Sequence, residues 1–481
     1  MSCPMLCHTC QRTTRHRARL ALTVTVIFIA ATIACGGGTP VERVSSPPSP
    51  KGVTGTPAAF VGIDVNQLNT PAPNIPIASL RMWDDHTAWS EINTSPGPPT
   101  ASDFANMDYW LGQTSVYGTD FLYDLARTPG WAQCPNNSPP CGSGLTPPAC
   151  FDADVNGPGQ CLPPSDLNFD GSGPNQIWIN WVTAVAQHSV QSTTGHITYY
   201  EIWNEPNVPS EWQGSILQLV RMTQDASCII KGTNCSSLST YSQTGVDPAA
   251  SILTPAFVNL DSNADVLNGL TAFFNAGGSQ YIDVIAFHGY VGNARPPEDF
   301  ATTFLPSISG LVASMGKPLF NTEGSWGTKQ PITDPQEQAA WLSRYILIQV
   351  SESISKFYWY SWDGGPVGLW SATGGTSPAG IAYGILGSQW LKAGATISAC
   401  APQNPQSPVW TCNLTRPGGY QAQAVWNAAQ TCSGTCTSST YTVPSQFVQY
   451  MDTAGNTTSL NGATTVQIGA VPILLETGSI P

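Results

Sequence analysis

Charge is what this 481-residue chain has least of. Asp, Glu, Lys and Arg make up 10% of it, against a usual share of about 25%, while hydrophobic residues reach 41% and aromatics 10%. That composition excludes a disordered chain, which carries high net charge and little apolar side chain to bury. Bases are scarcer than acids, 17 against 30, and four of them, Arg12, Arg15, Arg17 and Arg19, fall in the first 34 residues. The remainder sets 13 bases against the 30 acids, a field that repels phosphate backbones, so nucleic acid is not an expected partner. The apolar run at 20–34 has 15 residues, short of the about 20 that span a membrane comfortably. Among the ten cysteines beyond residue 57 there is no C-x2-C pair and no nearby histidine cluster, which argues against a zinc site. The length excludes a single small module and allows a barrel of about 250 or more residues with a smaller partner.

What is present begins with an export pattern. A basic stretch (12–19) precedes the apolar run, and Thr32-Ile33-Ala34-Cys35 ends in a small residue before cysteine. Cys35 followed by three glycines resembles a bacterial lipobox, although Thr32 stands where that pattern prefers a larger aliphatic. The resemblance implies lipidation at Cys35 and attachment to a membrane, with plain signal cleavage as the alternative. Residues 36–57 are rich in Gly, Pro, Ser and Thr without apolar periodicity and read as a linker. The even cysteine count in an exported chain favours disulfides, with Cys228–Cys235 and Cys432–Cys436 the easiest pairs.

From 58 to 390, apolar runs alternate with helical periods. Strands are expected at 59–65, 77–82, 119–126, 197–204, 251–257, 281–288, 317–322 and 355–361, and helices between them include 176–190, 214–230 and 335–350. Eight such units predict an α/β fold, a (β/α)8 TIM barrel, with reactive groups at the C-terminal ends of strands. An open doubly wound sheet would want a Gly-rich phosphate turn after the first strand, where 62–75 offers Asn, Thr and Pro. The long segment 132–174 follows the third strand and should overhang the catalytic face. Asp152-x-Asp154-x-Asn156-Gly157 and Asp166-x-Asn168-x-Asp170-Gly171 within it begin like calcium loops. Their twelfth positions are Pro163 and Ile177, not a bidentate Glu, which favours ordinary Asx turns. Beyond 391 short alternating segments (421–427, 446–452, 464–475) predict a C-terminal β-sandwich.

The chemistry concentrates in two stretches. Tyr200-Glu201-Ile202-Trp203-Asn204-Glu205-Pro206 puts Asn204 and Glu205 at the end of the fourth strand, and Leu319-Phe320-Asn321-Thr322-Glu323 puts Glu323 just past the seventh. Two glutamates facing one mouth are what glycosidic cleavage needs, one to protonate the leaving oxygen and one to capture the anomeric carbon. Asn-Glu-Pro on strand four with Glu on strand seven resembles the clan A retaining glycoside hydrolases, most of all family 39, then the family 5 cellulase-like enzymes. The resemblance covers nearly all of 58–390. It implies Glu205 as acid/base, Glu323 as nucleophile and Asn204 as the partner of the sugar 2-hydroxyl.

By the same likeness Arg81, in Leu80-Arg81-Met82-Trp83-Asp84, would keep the nucleophile ionised, though it might instead pair with Glu201. His288 and Tyr290 match the strand-six position beside the carboxylates, with a satisfied core histidine as the other reading of His288. Trp362 resembles the strand-eight tryptophan that floors the bound sugar. The expectation is therefore an exported, lipid-anchored or secreted retaining glycosidase acting on β-linked oligo- or polysaccharide. Neither metal nor organic cofactor is implied. A non-catalytic carbohydrate-binding or scaffolding lipoprotein on the same barrel is the competing class.

Overall fold

Runs rich in β-branched and aromatic residues form parallel strands that are covered on both faces, which is why they read as continuous apolar stretches rather than alternating ones. The computed structural model describes residues 59–67, 70–133, 160–233, 235, 244–259, 264–291, 295–327, 331–432 and 434–478. The export segment with Cys35, the linker and the first calcium-like loop lie outside them. No helix among the described residues is long and apolar enough to cross a membrane.

Nine parallel strands, β1 (Val61–Asp64), β2 (Ser79–Met82), β3 (Asp120–Asp124), β4 (Tyr199–Glu201), β5 (Ser251–Leu253), β6 (Phe257–Val258), β7 (Ile285–His288), β8 (Leu319–Gly324) and β9 (Lys356–Trp359), make one TIM-barrel-like sheet. Their order is β5-β4-β3-β2-β1-β9-β8-β7-β6. The two ends of that order are halves of one stretch, 251–258. Thr254 interrupts it by exchanging its hydroxyl with Ala286, accepting from the amide at 2.8 Å and donating to the carbonyl at 3.1 Å. Leu253 bridges Val284 and Asn204 bridges Ala256, so the stretch touches β4 on one side and β7 on the other. Counted once, it is the fifth strand and β8 the seventh.

Inside the sheet a layer of Leu122, Leu253, Ala256, Val284, Ala286, Phe320 and Tyr358 fills the space, a packed core rather than a pore. Gly62 is required here, because a Cβ would sit 2.5 Å from the Tyr358 ring. Outside, helix Gln176–Gln191 buries Trp178, Trp181, Val182 and Val185 on one stripe. Helix Ile216–Lys231 starts at a Ser215/Gln218 capping box and stops at left-handed Gly232. Helix Pro335–Ser351 starts at Asp334, whose carboxylate accepts from two amides. The three expected helices match these within two residues.

The second calcium-like stretch is used structurally. Asp166 Oδ2 accepts from the amides of Gln176 and Ile177, and Asp170 Oδ1 from the amide and hydroxyl of Ser172, a helix start and an Asx turn.

After residue 390 the chain is antiparallel. Strands 409–415 and 421–427 pair along seven residues, flanked in one sheet by 396–397, 401–402, 473–476, 449–451 and 457–459, while 439–442 pairs with 465–468 in a second. The expected segment 464–475 is thus two strands in two sheets, broken at 469–472. Val425, Tyr441, Phe447, Ile468 and Leu475 form an apolar layer between the sheets. The other face, with Trp410 and Trp426, joins the core against the helices, where the Trp426 indole donates to buried Glu298 at 2.7 Å. Disulfides join Cys228–Cys235, Cys400–Cys412 and Cys432–Cys436.

Candidate active site

Side chains alternate in and out along a strand, so the layer above the apolar one is set by Asp64, Arg81, Asp124 and Glu201, two residues beyond Gly62, Ser79, Leu122 and Tyr199. All four are polar and at most 2% exposed. Arg81 is the hub. Its Nε donates to Glu201 at 2.9 Å, its Nη1 to Asp64 and Glu323 at 3.2 and 3.0 Å, and its Nη2 to Asp124 and to Asn204 Oδ1 at 3.3 and 3.0 Å. One guanidinium thus contacts Glu201 and Glu323 together, the two partners the sequence offered it. Burial pushes the carboxyls of Asp64 and Asp124 well up, and the Arg81 charge opposes it.

Glu323 lies within β8, the expected strand end being one residue short. Its parity is opposite to that of inward-facing Phe320, and a register irregularity between Asn321 and Gly324 turns it into the mouth. There Tyr290 donates to its Oε1 at 2.7 Å and Arg81 to its Oε2. Glu205 stands opposite on a bent backbone: Trp203 and Glu205 have φ of 76° and 42°, a conformation that costs such residues about 1–3 kcal/mol each. Two bonds to the broken fifth strand hold it, Ala256 N to Trp203 O at 3.1 Å and Glu205 N to Ala256 O at 2.9 Å.

His288 joins the two acids. Arg81 only donates, so His288 Nε2, 3.4 Å from Nη2, carries the lone pair and Nδ1–H donates to Glu205 Oε1 at 2.7 Å, with Glu323 Oε2 at 3.6 Å. Burial holds this imidazole down to about 4, neutral in neutral solution. One ligating atom each of Glu205, His288 and Glu323 lies within 4.8 Å of the others. The cluster is a poor metal site nonetheless, because freeing Nδ1 as a ligand would place an N–H of His288 against Arg81.

Glycosidases that retain configuration hold their two carboxyls about 5–5.5 Å apart and inverting ones about 6.5–9.5 Å; here the facing oxygens of Glu205 and Glu323 come within 4.8 Å. Burial, then the mutual charge, pushes Glu323 up to about 7; burial pushes Glu205 to about 7 as well. The pair titrates as a unit. Arg81 and Tyr290 donate to Glu323, and hydrogen bonds of that kind favour a carboxylate over its acid.

A stability prediction follows from these directions. A carboxyl whose folded value is raised makes the folded state bind protons more tightly than the unfolded one, so its contribution is full below the ordinary value and falls as pH rises through about 7. Glu323→Gln removes that loss and is expected to raise Tm relative to the parent more at pH 8 than at pH 5. Equal differences at both values would contradict it.

Trp362 is a correction. It is 1% exposed, spends its N–H on Pro71 O at 3.1 Å and stacks toward Trp370, so no face is left to floor a sugar. Inward-facing Tyr358 carries Tyr360, two residues on, to the mouth. The Tyr360 hydroxyl donates to Asp84 at 2.8 Å and accepts from Asn66 at 3.0 Å, and Glu323 is near enough to help raise its pKa. Strand parity from Tyr358 was the available signal; choosing by residue type passed over it. Arg127, its guanidinium 4.1 Å from the Trp83 ring centroid and 3.7 Å from Asp84, and Glu211, buried beside Asn204, also belong to this rim. Neither stands in a motif that marks it.

The fold is similar to that of solved glycoside hydrolases. Among solved structures it is similar to a GH30 endoxylanase from Clostridium papyrosolvens C71, at 12% identity and TM-score 0.54 over 88% of this chain and 97% of that one. It is similar also to a conserved exported protein from Bacteroides fragilis, at 14% and 0.52 over 85% and 90%, and to a glucosidase from Croceicoccus marinus, at 15% and 0.50 over 85% and 82%. Such identities are a likeness of fold. The family among these neighbours is 30, where the sequence likeness pointed within the same clan to 39 and 5. No family model and no curated sequence matches the chain.

Proposed function

We propose that this chain is an exported retaining glycoside hydrolase that cleaves β-linked oligo- or polysaccharide. Its parts would be a signal with lipobox over 1–35, a linker over 36–57, a (β/α)8 catalytic domain over 58–390 and a β-sandwich over 391–481. The observation that carries the reading is an oxygen of Glu205 and one of Glu323 within 4.8 Å, bridged by neutral His288. The same fold serves an endoxylanase and a glucosidase, which supports the reaction class.

In the first half-reaction Glu205 gives its proton to the glycosidic oxygen while Glu323 attacks the anomeric carbon from the opposite face, forming a glycosyl ester and releasing the aglycone. In the second, Glu205 takes a proton from water, which attacks the same carbon and frees Glu323. Asn204 holds the 2-hydroxyl, Arg81 and Tyr290 keep Glu323 an anion, and His288 fixes Glu205. Tyr360 takes the place expected of Trp362.

Proton NMR of the first-formed sugar from an aryl β-glycoside tests this. The β-anomer should appear first and mutarotate afterwards. An α-product would overturn the retaining assignment, and glycan binding without release of sugar from a panel of aryl glycosides and plant and bacterial polysaccharides would favour the non-catalytic class.

A further inference from the structure

The outer face of a parallel strand packs under a helix and is ordinarily apolar. On β8 that face carries Asn321, opposite in parity to inward-facing Phe320, and helix Pro335–Ser351 sets Tyr345 and Gln349 against it. All three are wholly buried, where an amide or hydroxyl costs stability unless it is hydrogen-bonded. Asn321 uses both ends of its amide. Its Nδ2 donates to Gln349 Oε1 at 2.7 Å and to the Tyr345 hydroxyl at 3.2 Å, and its Oδ1 accepts from Gly289 N at 2.9 Å. The Tyr345 hydroxyl in turn donates to Gly289 O.

Gly289 stands between His288 and Tyr290, which donate to Glu205 and Glu323. Its N–H is shared with Glu323 O, also at 2.9 Å, a three-centre bond. The ladder is irregular here: Phe287 pairs with Asn321 but His288 with Glu323, which leaves Thr322 as the extra residue. A bulge of that kind leaves backbone groups to find other partners, and the side chains of Asn321 and Tyr345 supply them. The fit is close. A Cβ on residue 289 would collide with Asn321 Nδ2, and one on residue 324 would lie 2.9 Å from the Tyr345 hydroxyl. A glycine backbone is freer than any other, so the two peptide planes around Gly289 are fixed from outside, the one before it by Asn321 and the one after it by Tyr345. Tyr290 is fixed with them.

We infer that Asn321 and Tyr345 are positioning residues for the glycosidase reaction: they clamp Gly289 from behind the sheet so that the Tyr290 hydroxyl stays on Glu323 Oε1. This rests on the hydrolase reading above. The Tyr290 bond bears on the nucleophile because a donated hydrogen bond favours the carboxylate over its acid, so loosening the clamp makes Glu323 harder to ionise. A role in packing alone would lower activity evenly across pH.

The test follows kcat/KM against pH on the dinitrophenyl β-glycoside that the parent cleaves fastest. Its leaving group needs no proton, so the acid limb reports the ionisation of Glu323. Tyr345→Phe removes one hydroxyl and keeps the ring against Phe300, Trp341 and Phe357, while Asn321→Leu removes the amide at similar volume. Circular dichroism and Tm first establish that each variant folds, and Tyr345→Phe decides the matter should the leucine variant not fold. Each should move the acid limb up by about one pH unit and lower kcat/KM below that limb by about 10-fold, the scale of one hydrogen bond to a charged group. In a Tyr290→Phe background, where the limb has already risen, the same substitutions should move it no further and cost at most about 3-fold. A limb that stays in place in Tyr345→Phe, or losses as large in the Tyr290→Phe background as in the parent, would assign the pair to structure alone and overturn the inference. A parent enzyme that cleaves neither this substrate nor any polysaccharide would instead overturn the hydrolase reading beneath it.

Discussion

Glu323→Gln is expected to lower kcat by at least about four orders of magnitude, a loss of some 5–6 kcal/mol of transition-state stabilisation. Gln keeps the volume, and in place of the present bonds at 3.0 and 2.7 Å its oxygen can accept from Arg81 while its amino group donates to the Tyr290 hydroxyl oxygen, so the variant should fold and bind glycan. It cannot form the glycosyl ester. Glu205→Ala should behave differently. On substrates that need a proton on the leaving oxygen the loss is about 10²–10⁴-fold. On a dinitrophenyl glycoside, whose leaving group departs unaided, the first step survives, and azide should restore turnover by giving the β-glycosyl azide. The alkaline limb of the parent's pH profile, which reports loss of the Glu205 proton near or above 7, should be absent from that azide reaction. Near-parental turnover by Glu323→Gln would end the assignment.

Arg81 should show the largest combined effect on folding and activity. Its side chain is wholly buried and donates to five oxygens on four strands and the turn after β4. Arg81→Met would take the cation out of the buried pairs with Glu201 and Glu323, and removing one partner of a buried ion pair costs about 3–5 kcal/mol, so that variant should melt many degrees lower or accumulate unfolded. Arg81→Lys keeps a cation but replaces a planar fork by a point charge that cannot span the same acceptors. It should fold with a lowered Tm and lose about 100-fold or more in kcat, because Glu323 ionises less readily and the Oδ1 end of Asn204 is released. A methionine variant with the parental Tm would show that the carboxyl layer is protonated throughout and needs no cation.

Much of this site was legible in the order of residues. Asn204-Glu205 and Glu323 stand out because acids are few and each follows an apolar run that can only be a buried strand, and strand ends on one side of such a sheet share one mouth. Arg81, His288 and Tyr290 were expected from the family likeness and lie together around the pair. Trp362 failed because distance past a strand's end decides more than residue type. β9 stops at Trp359, so Tyr360 keeps the inward parity while Trp362 has already turned into packing. Glu211 and Arg127 were illegible for another reason, since their importance comes from neighbours far along the chain.

The sequence by itself determined that the chain builds alternating strands and helices, that an antiparallel tail follows, and which acids are placed at strand ends, because these depend on hydrophobic period and local chemistry. Tertiary structure alone decided that Glu323 turns inward, through a bulge that reverses its parity. It also decided that one guanidinium serves four carboxyls and that burial disfavours a charged His288. Each depends on distances between groups from 17 to 242 residues apart, and on how deeply the sheet removes them from water, which no local pattern encodes.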